Sequence, residues 1–298
     1  MKKTITVLGA GAWGRTLSRL LQNNGHTVHL RHHDDLSPWP DQDGLMIAIP
    51  VQHIRHTINQ LPPPHTPICS LSKGIEIGTG KRVTQIIRET WPDSLPLAVL
   101  SGPNLAHEIT QGLPAASTLA AEDTPTAIFW QTLLHQPLFR IYRCPDIIGV
   151  ELGGALKNIY AIAGGVCRGL GLGENALAAL LTRSSAEMTR IGLILGGQLD
   201  TFRGLSGIGD LFLTATSRHS RNARVGELLV QGKPLPEILQ SLGGVAEGVT
   251  TARAIYNDPR LTNCEKPIAN EIYAMLYENK PVQKAVEDLL DRIPSVEN

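Results

Sequence analysis

The residues most able to do chemistry lie in the run GVELGGALKNIYAIAGG, where Gly149, Gly153, Lys157, Ala161 and Gly165 recur at every fourth position. On a helix these make one slowly drifting stripe with almost no side-chain bulk except a single lysine. Another surface or a ligand can therefore approach closely, with Lys157 standing in the gap. An uncompensated ammonium there is costly, so it needs partners or a lowered pKa suited to proton transfer. Lys157 is the candidate acid and base. The plainer alternative is a lysine that snorkels out of a core helix or pairs with an acid such as Glu151. A second polar cluster, GLSGIGDLFLTATSRHSRNARVG, brackets Asp210 with glycines and places Ser220, Arg221 and Asn222 before a helical pattern. Asp210 can accept from a hydroxyl or hold Lys157, and Arg221 can grip a phosphate through its fork of donors, helped by Asn222 and backbone N–H groups. Taken alone, that cluster is better explained by Ser220 as a helix cap and Arg221 as a solvated charge.

A third constellation reads as a nucleotide site. Gly9, Gly11 and Gly14 in GAGAWG fit GxGxxG, and the motif follows an apolar run and opens a helical pattern, the context it requires. The first glycine permits the tight turn, the second lets backbone approach a pyrophosphate, and the third lets helix pack on strand. The residue that reads the ribose should lie at the end of the next strand, which here is Arg31-His32-His33. A basic end leans toward NADPH, while Asp34 and Asp35, directly after it, pull the other way. Two further loops, Ser70 to Gly74 with Lys73 and Ser101 to Asn104 with Gly102, follow strands and belong at the edge where open α/β sheets bind ligands. Taken singly, each is also an ordinary polar turn. No metal is assigned: His53 and His56 read as the wet face of a helix, and His29, His32 and His33 lack carboxylate or cysteine partners at ligand spacing. Ser184 and Ser185 lack the glycine elbow of a hydrolase nucleophile.

The elements that must position these groups follow from periodicity. Apolar runs at Ile5 to Leu8, Thr27 to Leu30, Leu45 to Ile49, Ile68 to Leu71, Leu97 to Leu100, Ala115 to Leu119 and Phe139 to Tyr142 predict strands. They alternate with helical patterns, such as Leu17, Leu20 and Leu21, or Val51, Ile54, Ile58 and Leu61, which is the signature of a parallel sheet covered by helices. The segment Arg31 to Gly44, containing Pro38, Trp39 and Pro40, is short for a loop, helix and loop, so part of the usual second helix is expected to be missing. After Cys144-Pro145-Asp146 no convincing strand remains. Helices are expected through Ile147 to Val166 and at Asn175 to Leu195, Ala223 to Val230, Pro234 to Leu242, Gly248 to Asn257, Pro267 to Asn279 and Pro281 to Arg292. The division therefore falls near residue 146, with an α/β part over 1–146 and an all-α part over 147–298.

Composition narrows the classes. The 298 residues contain 42% apolar residues, and 27 Lys plus Arg balance 27 Asp plus Glu, so nothing draws the molecule to nucleic acid. Cys69, Cys144, Cys167 and Cys264 are scattered and form no CxxC, which fits a reducing cytosol. No signal peptide is evident in MKKTITVLGAG, and the apolar run from Ile147 carries Glu151, Lys157 and several glycines, so no membrane insertion is expected.

In order and spacing, GAGAWG, LSKGIE, SGPNLAHEI, ELGGALKNIYAIAGG, GLSGIGDLFLTATSRHSRNARVG and GGVAEGV closely resemble the bacterial NAD(P)-dependent sn-glycerol-3-phosphate dehydrogenase family over nearly the whole chain. The lysine helix followed by GDL and SRN is the specific part. The resemblance implies a doubly wound Rossmann domain joined to an all-α domain of the 6-phosphogluconate dehydrogenase C-terminal type, with the active site between them. It implies hydride exchange between NAD or NADP and dihydroxyacetone phosphate, giving glycerol 3-phosphate for phospholipid synthesis, in a cytoplasmic protein. By the same match, Lys157 is the acid and base, and Lys73 touches both cofactor and substrate. Gly102, Asn104, Asp210, Ser220, Arg221 and Asn222 meet substrate. Gly9, Gly11, Ala12, Trp13, Gly14, His33, Ala106, Arg221, Val245 and Glu247 meet cofactor. A homodimer is expected by analogy alone. Asn104 stands where the family usually has Ser or Thr, and the stretch after Arg31 is shortened. The rival readings are a 3-hydroxyacid dehydrogenase of similar plan, which would need a carboxylate site in place of a phosphate clamp, and a noncatalytic nucleotide sensor. SRN beside GDL disfavours the first, and the Lys157 and Asp210 pair disfavours the second.

Overall fold

The computed structural model describes residues 1–293. Its first part runs β1 (Thr4–Leu8), α1 (Ala12–Asn23), β2 (Thr27–Arg31), β3 (Gly44–Ile47), α2 (Val51–Ile58), β4 (Ile68–Ser70), α3 (Val83–Thr90), β5 (Leu97–Ser101), α4 (Ala106–Thr110), β6 (Ala115–Ala121), α5 (Thr124–Leu134) and β7 (Phe139–Cys144). The seven strands form one sheet in the order β2-β1-β3-β4-β5-β6-β7. Leu8 pairs with Arg31 on one side and Ile47 on the other, so strand order reverses at β1 and the glycine turn after it stands over the switch point. Strands β1, β3, β4 and β5 are buried nearly throughout because helices cover both faces, which is why they read as short apolar runs, while β2 at the edge is only half-buried.

All seven expected strands are present, but the sheet is mixed. β5 and β6 pair antiparallel, with Ser101 opposite Thr118. The link between them holds only the five-residue α4, too little for the crossover that a parallel neighbour requires. Helices α3, α4 and α5 have little signal in the sequence. The first two are only eight and five residues long, and α5 (TPTAIFWQTLL) is apolar nearly all round and so shows little periodicity. No helix stands between β2 and β3, as the short segment predicts. His53 and His56 are exposed on α2, and the four cysteines are free.

The second part is helical: α6 (Ile147–Gly169), α7 (Gly173–Ile194), α8 (Leu199–Phe202), a π turn (Leu205–Gly209), α9 (Asp210–Thr216), α10 (Arg221–Val230), α11 (Leu235–Ser241), α12 (Glu247–Tyr256), a 3₁₀ turn (Pro259–Leu261), α13 (Pro267–Tyr277) and α14 (Val282–Leu290). The expected helix from Pro281 to Arg292 is thus shorter, and residues 294–298 of the expected second part lie outside the described residues. Helix α6 is the axis of this half, buried at every residue from Gly149 to Cys167. Its apolar character on all sides is therefore that of a helix wrapped by other helices. Among the described residues no helix is long and apolar enough to cross a membrane.

Two devices fix where α6 begins and how it is held. Asp146 caps it, accepting from Gly149 N at 2.8 Å, while its other oxygen accepts from Gln198 N at 2.8 Å and Thr201 Oγ1 at 2.7 Å. Glu151 accepts from Thr84 N at 2.9 Å and Thr84 Oγ1 at 2.5 Å and pairs with Arg82, tying α6 to α3 across the two halves. The small-residue stripe does what its spacing implies. A Cβ on Gly153 would stand 2.7 Å from Ser206 O, and one on Gly165 only 1.9 Å from Ala223 O of α10. Gly165→Ala should therefore force α6 and α10 apart, at a cost of roughly 1–3 kcal/mol from overpacking. Urea unfolding checks this: the midpoint should fall, and an unchanged midpoint would show that the crossing relaxes freely.

Candidate active site

At the nucleotide end, the turn after β1 is shaped by exclusion. Gly9 has φ +119° and donates its N–H to Arg31 O at 2.9 Å. A Cβ there would meet Ala48 O at 2.4 Å, and one on Gly14 would meet Gly9 O at 2.0 Å. Above Gly11, by contrast, nothing lies within 4 Å of a built Cβ. The N-terminus of α1 carries no side-chain cap. An open, uncapped helix start beside a glycine cradle fits a pyrophosphate, whose oxygens its N–H groups and positive end would receive. Ala12 is exposed, Trp13 and Ala106 are half-buried and Val245 is exposed. Thr16 Oγ1 of α1 lies 3.2 Å from Thr110 Oγ1 of α4, so Trp13 and Ala106 stand on neighbouring helices.

The basic end of β2 is not arranged as its composition suggests. Arg31 is 6% exposed, its Nε and Nη2 donating to the Asp35 carboxylate at 3.1 and 3.0 Å and Nη2 also to the carbonyls of Asp35 and Ser37 at 2.7 Å. The Trp39 ring covers it at 4.9 Å. His32 is held by Asp34 at 2.6 Å, and exposed His33 lies beside it with ring centroids 4.4 Å apart and planes tilted by 48°.

The lysine cluster sits where the two halves meet. Lys157 of α6 is 6% exposed, and its Nζ donates to Thr214 Oγ1 at 2.6 Å and lies 2.9 Å from Asp210 Oδ1. Asp210 and Thr214 are one turn apart on α9, and Thr214 Oγ1 donates in turn to Asp210 Oδ1 at 3.0 Å. Lys73, on the loop after β4, donates to Asp210 Oδ2 at 2.5 Å and to Gly102 O at 3.1 Å. One carboxylate is thus shared by two ammonium groups, and each ammonium has one hydrogen left for a ligand. Burial lowers the Lys157 pKa to about 8, partly opposed by the Asp210 charge and reinforced by that of Lys73. Burial works to raise the Asp210 carboxyl, but the two lysines and their hydrogen bonds outweigh it and hold it below the usual carboxylate range. The cluster carries a net positive charge, suited to an oxygen that becomes negative during reaction.

Lys73, Gly102, Lys157 and Asp210 are therefore brought together. Glu151 is not a partner of Lys157, being committed to Arg82 and Thr84. Asn222 is joined to the cluster through Asn158, the residue after Lys157: its Nδ2 donates to Asn158 Oδ1 at 2.8 Å and its Oδ1 accepts from Gly248 N at 2.9 Å. The Ser220 hydroxyl caps α10 by accepting from Ala223 N at 3.1 Å, and exposed Arg221 lies against Gly244. Half-buried Glu247, the first residue of α12, has a carboxyl raised to about 7 by burial, against the opposing Val51 N–H and Arg221 charge. Asn104 stands apart. Its Nδ2 donates to Ala116 O at 3.0 Å and Pro103 O at 3.1 Å, and its Oδ1 accepts from the Ser117 hydroxyl, so its amide faces β6. Sequence reasoning missed Thr214 and Asn158. The signal for Thr214 was its position four residues after Asp210. Among the described residues no group of three or more His, Cys, Asp or Glu could hold a metal ion.

Comparison with known proteins identifies the family. The family profile for the C-terminus of NAD-dependent glycerol-3-phosphate dehydrogenase matches residues 146–287, and that for the N-terminus matches 4–38 and 31–127. The N-terminal match breaks into two pieces at the end of β2, where the helix is missing. Glycerol-3-phosphate dehydrogenase [NAD(P)+] of Nitrosomonas europaea is 41% identical over 325 aligned positions, covering 98% of this chain and 99% of the relative. That of Moorella thermoacetica is 41% identical over 326, covering 98% and 97%. The crystal structure of glycerol-3-phosphate dehydrogenase from Coxiella burnetii superposes with a TM-score of 0.90 at 32% identity, covering 98% of this chain and 99% of that one. With both profiles matched, and with these relatives aligned over almost their full length, this chain belongs to the NAD-dependent glycerol-3-phosphate dehydrogenase family.

Proposed function

We propose that the chain interconverts dihydroxyacetone phosphate and sn-glycerol 3-phosphate with NAD(H) or NADP(H), in the cytosol and as a homodimer, supplying glycerol phosphate for phospholipid synthesis. The observation that carries the reading is the buried Lys157–Asp210–Lys73 cluster at the carboxyl edge of the sheet. The division near residue 146, between a nucleotide-binding and a catalytic half, is supported by the end of β7 at Cys144 and the Asp146 cap on α6.

The glycine turn and the start of α1 hold the pyrophosphate, with Ala12, Trp13, His33, Ala106, Val245 and Glu247 lining the cofactor. The cofactor held there would supply the hydride for the ketone carbon in reduction, or accept it from the alcohol carbon in oxidation. In the direction of reduction, Lys157 in its ammonium form gives a proton to the ketone oxygen as negative charge develops there. In the reverse direction its neutral amine removes the alcohol proton. Asp210 and Thr214 fix the Lys157 Nζ from one side, so the remaining hydrogen has a defined direction. Lys73 adds a second positive charge, and Arg221 grips the phosphate with the help of Asn222 and Ser220, turning remote binding energy into alignment at the reacting carbon. Asn104 acts by shaping the loop that presents Gly102.

The direct test is the initial rate of cofactor oxidation at 340 nm with dihydroxyacetone phosphate, run with each cofactor. Dependence on the phosphoketone establishes the reaction, and its absence in protein that binds cofactor removes it. Lys157→Ala should lower kcat by about 10²–10⁴-fold, the usual contribution of a positioned acid, while cofactor affinity measured by fluorescence stays near wild type; retained turnover would end the assignment. The lowered Lys157 pKa also fixes the sign of the pH dependence. Reduction needs the ammonium and should fall as pH rises through about 8, whereas oxidation needs the amine and should rise over the same interval. Parallel profiles in the two directions would contradict that role.

A further inference from the structure

The family uses either cofactor, and the choice is made where the adenosine ribose meets the end of β2. In this chain that end has two unusual features: it is followed by no helix, and its arginine is not presented to solvent. Resting on the dehydrogenase reading above, we propose that this protein selects NADH over NADPH, with Asp34 as the residue that accepts the ribose hydroxyls and rejects a 2′-phosphate.

The argument begins with the backbone. Arg31 O accepts from Gly9 N at 2.9 Å, so the residues just after Arg31 leave the sheet one hydrogen bond from the glycine turn. Asp34 lies twenty positions beyond Gly14, which is the spacing at which dinucleotide sites place a ribose-reading acid. Its side chain is 73% exposed, and Oδ1 is taken by His32 at 2.6 Å, leaving Oδ2 for a donor. A ribose diol offers such a donor, and a phosphate does not.

The cation that would invite a phosphate has been withdrawn. Arg31 directs Nε and Nη2 to Asp35 and Ser37, and Nη1, its one nitrogen without a partner among the described residues, is buried. Trp39 closes over the guanidinium and is itself anchored, its indole N–H donating to Pro62 O at 2.7 Å and its ring meeting Trp91 edge-on at 6.4 Å. The missing helix is what allows this. With only residues 32–43 between β2 and β3, the chain folds back so that Trp39 lies on Arg31. Arg15, on the first turn of α1, has its Nε on Ala10 O at 2.8 Å. The Arg31 charge is matched by Asp35, which leaves the exposed Asp34 carboxylate at the tip. A 2′-phosphate would be brought against that carboxylate with the Arg31 guanidinium turned away from it.

Calorimetric titration of the full chain with NADH and with NADPH reads this directly. Wild type should bind NADH at least about tenfold more tightly, a difference of about 1.4 kcal/mol. Asp34→Asn, at an exposed position that does not threaten folding, should narrow the ratio to below about threefold by tightening NADPH and weakening NADH. Asp35→Asn, which releases Arg31, should move the ratio the same way. In turnover the difference should fall in KM for the cofactor and leave kcat nearly equal, since the adenosine end is far from the reacting carbon. Equal or tighter NADPH binding by wild type, no binding of either, or an unchanged ratio in Asp34→Asn overturns the proposal. Selective NADH binding without turnover of the phosphoketone would instead leave this inference standing and remove the proposed reaction.

Discussion

One carboxylate shared by two ammonium groups is the constraint around which the rest of this molecule is arranged. Asp210 is 2% exposed, and Lys157 nearly as deeply buried. Charges so placed are tolerated only when they compensate one another and their remaining hydrogen-bonding positions are filled. Asp210 meets that condition with Lys157 and Thr214 on one oxygen and Lys73 on the other. Removing either lysine would leave the other to carry the compensation alone. The three residues come from the axis of the helical half, from a neighbouring helix and from a loop of the sheet, so the charge requirement is also a requirement on how the halves are assembled.

The backbone around the cluster is shaped to allow that convergence. Helix α9 must bring Asp210 against Lys157, and α6 must let it approach. The glycine stripe gives the space on α6: Gly153, one turn before Lys157, packs under Ser206 O. The approach is made through a π turn, Leu205–Gly209, which ends directly at Asp210. A π turn widens the helix and changes the direction of the residue that follows, a device found often at functional sites. Regular α-helix there would rotate Asp210 and Thr214 together away from the lysine.

Much of this was legible because it rests on periodicity and exclusion. The strand runs, the glycine turn and the four-residue stripe around Lys157 are statements about which faces can be close, and the structure brings those faces together. What was not legible depends on partners distant in sequence or on the geometry of a single link. The antiparallel pairing of β5 with β6 follows from how little helix stands between them, which no strand pattern reveals. Asn104 looked available to a ligand until Ala116 and Ser117 of the next strand took its amide. Arg31 read as a free cation because its charge is visible in sequence while the enclosure by Asp35, Ser37 and Trp39 is not. Thr214 has no motif of its own, and its meaning comes from Asp210 one turn before it.

Of the polar links that cross between the halves, three bear on the site or on the helix that carries Lys157. Glu151 of α6 holds Arg82 and Thr84 of α3, two turns before Lys157. Lys73 reaches from the β4 loop to Asp210. Glu247, opening α12, has its carboxyl influenced by the Val51 N–H at the start of α2, which has no side-chain cap, and by the Arg221 charge. Its Oε2 lies 3.0 Å from where a Cβ on Gly74 would stand, so the loop carrying Lys73 passes directly against it. These polar contacts act together with apolar ones at the junction, where Ile147 and Val150 of α6 pack into the sheet's core and Ile75 into the helical one. Apolar packing tolerates sliding, because its energy depends on buried area more than on direction. Hydrogen-bonded and charged contacts do not, and a hydride donor and a proton donor must meet the same carbonyl with little positional error. Building the junction from directional contacts is how a two-part fold can hold that alignment.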